Sequence, residues 1–189
     1  MPEGGMKQQA FEVCLALIET EGWKSFSFAK AAEISGLPLS VFHENFSSPI
    51  EILLELFRQI DREVLNMSLH CDDESPRDRL FEILMARFDA AQPYKRALGR
   101  FWEDWGQTLP ETPSLACQGV TSMGWMLEAA SIGQQGLPGM LRVQGLTVLY
   151  FLTLKTWLSD DSPDLGKTMA FLNKGLSQLE GIATFLNRL

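Results

Sequence analysis

Apolar residues recur at helical spacing along most of the chain, and their punctuation divides it into elements. Phe11, Cys14, Leu15 and Ile18 fall at i, i+3, i+4 and i+7, one face of a helix that Gly22 is placed to stop. Ser27 is expected to cap a short second helix over residues 28–35, with Gly36 as its terminator. A third short helix begins near Pro38, a residue favoured at the first helical position, and runs to about Asn45. Three helices with a glycine-containing turn between the second and third make a helix-turn-helix head. A fourth helix, over about 49–67, carries Ile52, Leu53, Leu56, Phe57, Ile60, Val64 and Leu65 as its apolar stripe.

The polar, acidic run at 70–76 (HCDDESP) breaks the pattern and marks the best boundary. Helical periodicity returns over 77–91 and 94–107, with Pro93 between them, and a break follows at 109–113 (LPETP). A helix over about 114–132 precedes a loop at 133–139 (GQQGLPG) that is too rich in glycine to stay helical. The last two segments, 140–158 and 164–189, are separated by SDDSP, whose acidic residues suit the N-terminus of the final helix. No strand-like alternation of useful length and no internal repeat occurs. The expected fold is all-α, with a head over 1–48, a connecting helix over 49–70 and a larger helical body over 71–189.

With 189 residues there is room for two small domains but not three. A hydrophobic fraction of 46% against 21% charged residues is ordinary for a globular chain. Cys14, Cys71 and Cys117 are odd in number and widely spaced, which argues against a disulfide framework or a zinc site and suits a reducing cytoplasm. The first nine residues lack the basic-then-apolar order of a signal peptide. The longest apolar stretch, 143–154, is shorter than the roughly 20 residues of a membrane span and reads as a buried or interface helix.

The net charge of −8 is unevenly placed. Residues 1–66 hold five basic residues (Lys7, Lys24, Lys30, Arg58, Arg62) against ten acidic ones, so the head is the more acidic part. Non-specific DNA affinity comes mainly from Lys and Arg displacing phosphate counterions, and this balance weighs against tight DNA binding without excluding it.

Residues 22–56 resemble the DNA-binding head of the TetR family. That family places Ser or Thr at the start of its second helix, then an apolar-Ala pair, then a small residue, Gly and an aliphatic residue; here these are Ser27, Ala31-Ala32 and Ser35-Gly36-Leu37. Phe42, His43 and Phe46 occupy its next aromatic positions. Three positions depart from the family pattern: His43 stands where Tyr is usual, Asn45 where His is usual, and Pro49 where a phosphate-gripping Lys is usual. Glu44 adds an anion to the helix that the resemblance places in the major groove, where it is able to accept from a cytosine amino group. A second resemblance covers residues 149–176, above all Trp157 to Ser162 with Leu165 and Thr168-Met169-Ala170. It is to the ubiquinone-biosynthesis accessory lipid-binding proteins, which share the TetR fold without using the head on DNA. Members carry an extra amphipathic membrane-binding helix; residues 176–189 are either its counterpart or the end of a dimer helix.

Candidate sites follow. For a DNA-reading head, Ser40, His43 and Glu44 are the groove-facing positions, while Lys24, Ser27 and Lys30 hold backbone phosphates; the bland alternative is a vestigial head. Phe101, Trp102, Trp105, Met123, Trp125 and Met126 lie on two helices of the body and suit either a core or the lining of a cavity for a small apolar ligand such as a lipid, isoprenoid or quinone. Leu146, Leu149, Tyr150 and Leu154, with Phe171, Leu172, Leu176 and Leu179, are expected to form the self-complementary face of a homodimer, or else a monomeric core. The two histidines, His43 and His70, lie far apart in the expected fold, and no nucleophile-base trio or phosphate-cradling glycine loop can be assembled, so neither catalysis, a cofactor nor a metal is expected. The run from His70 to Glu74 reads as a solvated linker. The first functional expectation is a cytoplasmic, ligand-responsive transcription regulator acting on duplex DNA as a homodimer, with a basic strip of Lys24, Lys30 and Lys7. The second is a lipid or quinone carrier that has lost DNA, with an acidic head and an apolar patch near the last helix suited to a membrane surface.

Overall fold

A computed structural model describes residues 3–67, 75–104 and 112–186, with the side chains of residues 3, 4, 112 and 182–186 left out of the description. The described residues form helices and connecting turns only: α1 (Glu3–Glu21), α2 (Phe28–Ser35), α3 (Leu39–Asn45), α4 (Ile50–Asn66), α5 (Pro76–Ala91), α6 (Lys95–Asp104), α7 (Thr112–Ala129), α8 (Gly136–Leu158) and α9 (Gly166–Leu186). A single 3-10 turn, Gln92–Tyr94, joins α5 to α6 at Pro93, where the missing amide proton interrupts the α-helical ladder. The linker expected at 70–76, Cys71 and Trp105 fall wholly or mostly outside the described residues.

The chain separates into two compact units. One comprises residues 1–57 and 93–115, so α6 clusters with the head helices although α4 and α5 intervene in sequence; the other comprises 58–92 and 116–189. In the first unit α1 packs against α2, α3 and α6. Its core is Phe11, Cys14, Ile18, Phe42, Phe46, Leu53 and Leu98, all buried. Gly22 takes φ +85° and its N–H caps the Ile18 carbonyl at 3.0 Å, the left-handed stop that a residue with a Cβ adopts only under strain. Burial pushes the Cys14 thiol up to about 12, so it stays protonated and serves as a small core group.

The second unit is organised on α8 and α9, which pack against each other, with α5 also against α9. Close approach is possible because two glycines sit at the seam: a Cβ on Gly175 would lie 2.2 Å from Leu149 Cδ1, and one on Gly145 3.1 Å from Leu179 Cδ2. Phe88 stacks on Tyr150 at 5.2 Å and leans on Trp157 at 5.7 Å, forming the aromatic centre of this core. Helix α8, with 23 residues and a mean hydropathy of 1.3, is long and apolar enough to cross a membrane, but one side of it is occupied by the packing on α9.

The corner between α8 and α9 uses the residues that carry the second resemblance. Buried Asp160 accepts from the Thr168 N–H at 2.9 Å and the Thr168 hydroxyl at 2.8 Å, and from the Ser162 N–H at 3.2 Å. Ser162 Oγ in turn accepts from the Gly166 N–H at 3.1 Å. The Ser162 hydroxyl and then the Thr168 donors hold the Asp160 carboxyl well below the usual carboxylate range, outweighing the opposing cost of burial. A depressed folded-state pKa contributes stability that is present above the unfolded value of about 3.9 and is lost as pH falls towards the folded one. Asp160→Asn is therefore expected to lower the melting temperature at pH 7, with the gap to wild type narrowing between pH 5 and pH 3. A gap that stays constant across that range, followed by circular dichroism, would show that the charge plays no part.

Candidate functional site

The head leaves one face of α3 exposed, and local chemistry explains why. Ser27 Oγ accepts from the Lys30 N–H at 3.3 Å and starts α2; Gly36, at φ +68°, ends it through an N–H bond to the Ala32 carbonyl at 2.9 Å. Ser35 Oγ accepts from the Leu37 N–H at 3.2 Å and so fixes the turn into α3. On α3, Val41 and Phe42 face inward, with Phe46 buried just beyond it, and Phe28 lies 6.0 Å from the Phe46 ring and 6.1 Å from the Phe42 ring. Ser40, His43 and Glu44, at i, i+3 and i+4, are left together on the exposed face. All three are exposed, as their spacing on α3 predicts. Pro38 precedes α3 as its N-cap and is not its first helical residue.

The lysines expected to hold phosphate are paired with carboxylates. Lys24 Nζ lies 3.1 Å from Asp104 Oδ1, Lys30 Nζ pairs with Glu21, and Lys7 Nζ lies 3.5 Å from Glu55. Arg96 and Arg100 likewise pair with Glu19 and Glu103. The expected open basic strip of Lys24, Lys30 and Lys7 is thus a set of compensated ion pairs, because α1, α4 and α6 each bring a carboxylate within reach. The lysine ends are about half exposed, while the carboxylates of Glu55 and Asp104 are largely buried, so each cation lies at the surface with its acid behind it.

The residues expected to line an aromatic cavity divide between the two units. Phe101 and Trp102 belong to the first unit, where Phe101 meets Trp23 edge to face at 5.0 Å. Met123 and Met126 are fully buried in the second unit, and Trp125, two residues from Met123 and so on the other side of α7, is 55% exposed. Trp105 lies outside the described residues. A cavity of about 450 Å³ exists instead within the second unit, between the first turn of α5, the end of α7, the first half of α8 and α9. Leu80, Leu127, Leu141, Leu146, Leu176 and Leu179 line it, with Arg77, Arg142 and Glu180 as its charged groups. Its size and largely aliphatic wall suit a small apolar ligand.

Two groups of dimer-interface residues are also reassigned. Leu146, Leu149, Tyr150, Leu154, Leu172 and Leu176 are buried within the single chain, and Leu179 is half-buried against the cavity; of the eight only Phe171 is exposed. Helix α8 is apolar on more than one side, and the α8–α9 seam takes the side that periodicity assigned to a partner. The outward side carries Leu137, Val148 and Leu152, with Met140 beside them.

Sequence reading missed a buried charged cluster in the second unit. Arg87, 1% exposed, forms an ion pair with Asp61, and Ser122 donates to Asp61 Oδ2 at 2.6 Å. The guanidinium lies 5.0 Å from the Tyr150 ring centroid. The signal was present: Asp61 and Arg87 each interrupt an apolar stripe, four residues after Phe57 and Ile83 respectively. No group of three metal-ligating side chains occurs among the described residues.

No protein-family model and no curated protein matches the sequence. Among solved structures, the chain is similar to a TetR transcriptional regulator from Nitrosomonas europaea, with a TM-score of 0.71 and 17% identity over 93% of this chain and 98% of that one. A TetR transcriptional regulator from Rhodococcus sp. RHA1 gives 0.68 and 15% over 94% and 97%, and one from Streptomyces coelicolor 0.62 and 13% over 98% and 85%. An all-helical chain with a capped α2, a glycine turn and a presented α3, superposable on these molecules over nearly its whole length, has the TetR-regulator fold.

Proposed function

We propose that this protein is a cytoplasmic, homodimeric transcription regulator that reads duplex DNA with α3 and responds to a small hydrophobic ligand held in its body, with no catalytic step. The observation that supports it most is the clustering of Ser40, His43 and Glu44 on the exposed face of a helix whose opposite face is locked by Val41 and Phe42. Three short polar side chains on a rigid helix suit base-edge contacts, while the compensated lysines supply little non-specific attraction. The outward apolar row of α8 supplies the self-complementary face that a dimer on paired half-sites needs. An effector acts only through a preference for one of two head spacings, shifting the population between them.

Replacing Ser40 and His43 together with alanine is expected to weaken binding to the cognate duplex by about 30-fold or more, from about 1–3 kcal/mol for each of two base contacts, and to leave binding to scrambled duplex unchanged. Fluorescence anisotropy on duplexes from the gene's own upstream region measures both. Equal losses on both duplexes would sink the assignment of α3 as the reading helix.

A second reading is favoured by the pairing of Lys7, Lys24 and Lys30 with carboxylates and by the exposed apolar row of α8: a lipid or quinone carrier of ubiquinone biosynthesis that contacts a membrane surface and has no use for DNA. Copurification of an isoprenoid or quinone together with absence of DNA binding at low salt selects it.

A further inference from the structure

We infer that the α5–α7–α8–α9 cavity takes a single-chain amphiphile with an anionic head, the aliphatic chain lying among the leucines and the head group held by Arg142. This deepens the reading of the body as a ligand holder and rests on that reading. The wall supplied by Leu80, Leu127, Leu146 and Leu176 is aliphatic, with none of the aromatic surface that a flat ring system would stack on. A volume of about 450 Å³ matches a flexible chain of modest length.

The polar groups are asymmetric. Arg142 gives its hydrogen bond to the Gly133 carbonyl at 2.9 Å, a neutral acceptor, and forms no ion pair among the described residues. Arg77, by contrast, is paired with Asp78 at 2.8 Å and also reaches Ser177 Oγ at 3.1 Å. The first turn of α5, at Ser75 and Pro76, adds the positive end of a helix dipole to the same lining. Glu180 is the one carboxylate on the lining, and it disfavours an anion at its own position, so the head group is directed to Arg142. The loop that carries Gly133 is held tightly against α8, since a Cβ on Gly139 would fall 2.0 Å from the Gln134 carbonyl, and Gln134 Nε2 anchors it to the Gly124 carbonyl at 2.7 Å. Arg142 and its acceptor are therefore positioned before any ligand arrives.

Calorimetric titration of the delipidated full chain with dodecanoate and with dodecanol, below their aggregation limits, tests this. Dodecanoate is expected to bind once per chain, at least tenfold more tightly than dodecanol. Arg142→Gln, which keeps a donor for Gly133 but no charge, is expected to bring dodecanoate down to the level of dodecanol and leave dodecanol unchanged. Leu146→Trp, checked for folding by circular dichroism, is expected to abolish both by filling the cavity. Equal affinities, an unaltered preference in Arg142→Gln, or no binding of either probe would overturn the proposal. The assay contains no DNA, so a failure of operator binding leaves it standing, and its own failure leaves DNA recognition by α3 untouched.

Discussion

Arg87→Ala lowers the thermal midpoint of the body by about 6–20 °C, on the expectation that breaking a buried ion pair costs about 3–5 kcal/mol and that each kcal/mol is worth about 2–4 °C in a chain of this size. The loss is large because Asp61 stays behind, 7% exposed, with the Ser122 hydroxyl as its remaining donor among the described residues, and because the cation over Tyr150 goes with it. The pair itself is not a strong source of stability. The Arg87 Nε–H and the Tyr150 hydroxyl have no hydrogen-bond partner among the described residues, so the charges are incompletely solvated by the protein. Replacing both partners, Arg87→Met with Asp61→Leu, is accordingly expected to recover most of the lost stability. Calorimetric melts of the three proteins decide the matter. A single mutant within about 2 °C of wild type, or a double mutant no better than the single, would refute the description of a coupled buried pair.

Phe42→Ala is expected to act on the head. Phe42 is fully buried beneath α3, and removal of a buried Phe costs about 3–5 kcal/mol through lost transfer energy and the cavity left behind. The three exposed positions of α3 are held in place by that packing, so loss of duplex binding by 100-fold or more should accompany the loss of stability. Dodecanoate binding, which depends on residues of the other unit, should stay within about twofold of wild type. Loss of both activities together would show that the two units do not fold separately enough for this division of labour.

What the sequence made legible and what it hid have physical reasons. The head was readable because its boundaries are local chemistry: Ser27 caps, Gly22 and Gly36 take the left-handed conformation, and each acts within a few residues of its own position. The exposed trio on α3 followed from the same local periodicity. The body was harder because α8 has apolar residues on more than one side, and periodicity cannot say whether Leu149 meets Gly175 of the same chain or another molecule; the close approach at Gly175 decides it. The expected ligand residues illustrate a related limit of local periodicity. Phe101 and Met123 are both buried at helical spacing, but they belong to different units, and that partition is a long-range property of the chain. The cavity was invisible because its wall is leucine from four separate helices, with nothing in any one of them to mark it. The paired lysines of the head were likewise unforeseen, since Lys24 finds Asp104 across eighty positions of sequence.

The central claim is that α3 reads DNA despite an acidic head. Titration of the wild-type protein into its own upstream duplex and into a scrambled duplex, by fluorescence anisotropy at two salt concentrations, tests it most directly. Saturable binding to the upstream duplex alone is predicted. Its logarithmic salt slope should be shallower than about −5, because few phosphates are neutralised when the lysines are already compensated. Absence of binding to either duplex at low salt, or binding that is steeply salt-dependent and the same for both, would contradict it.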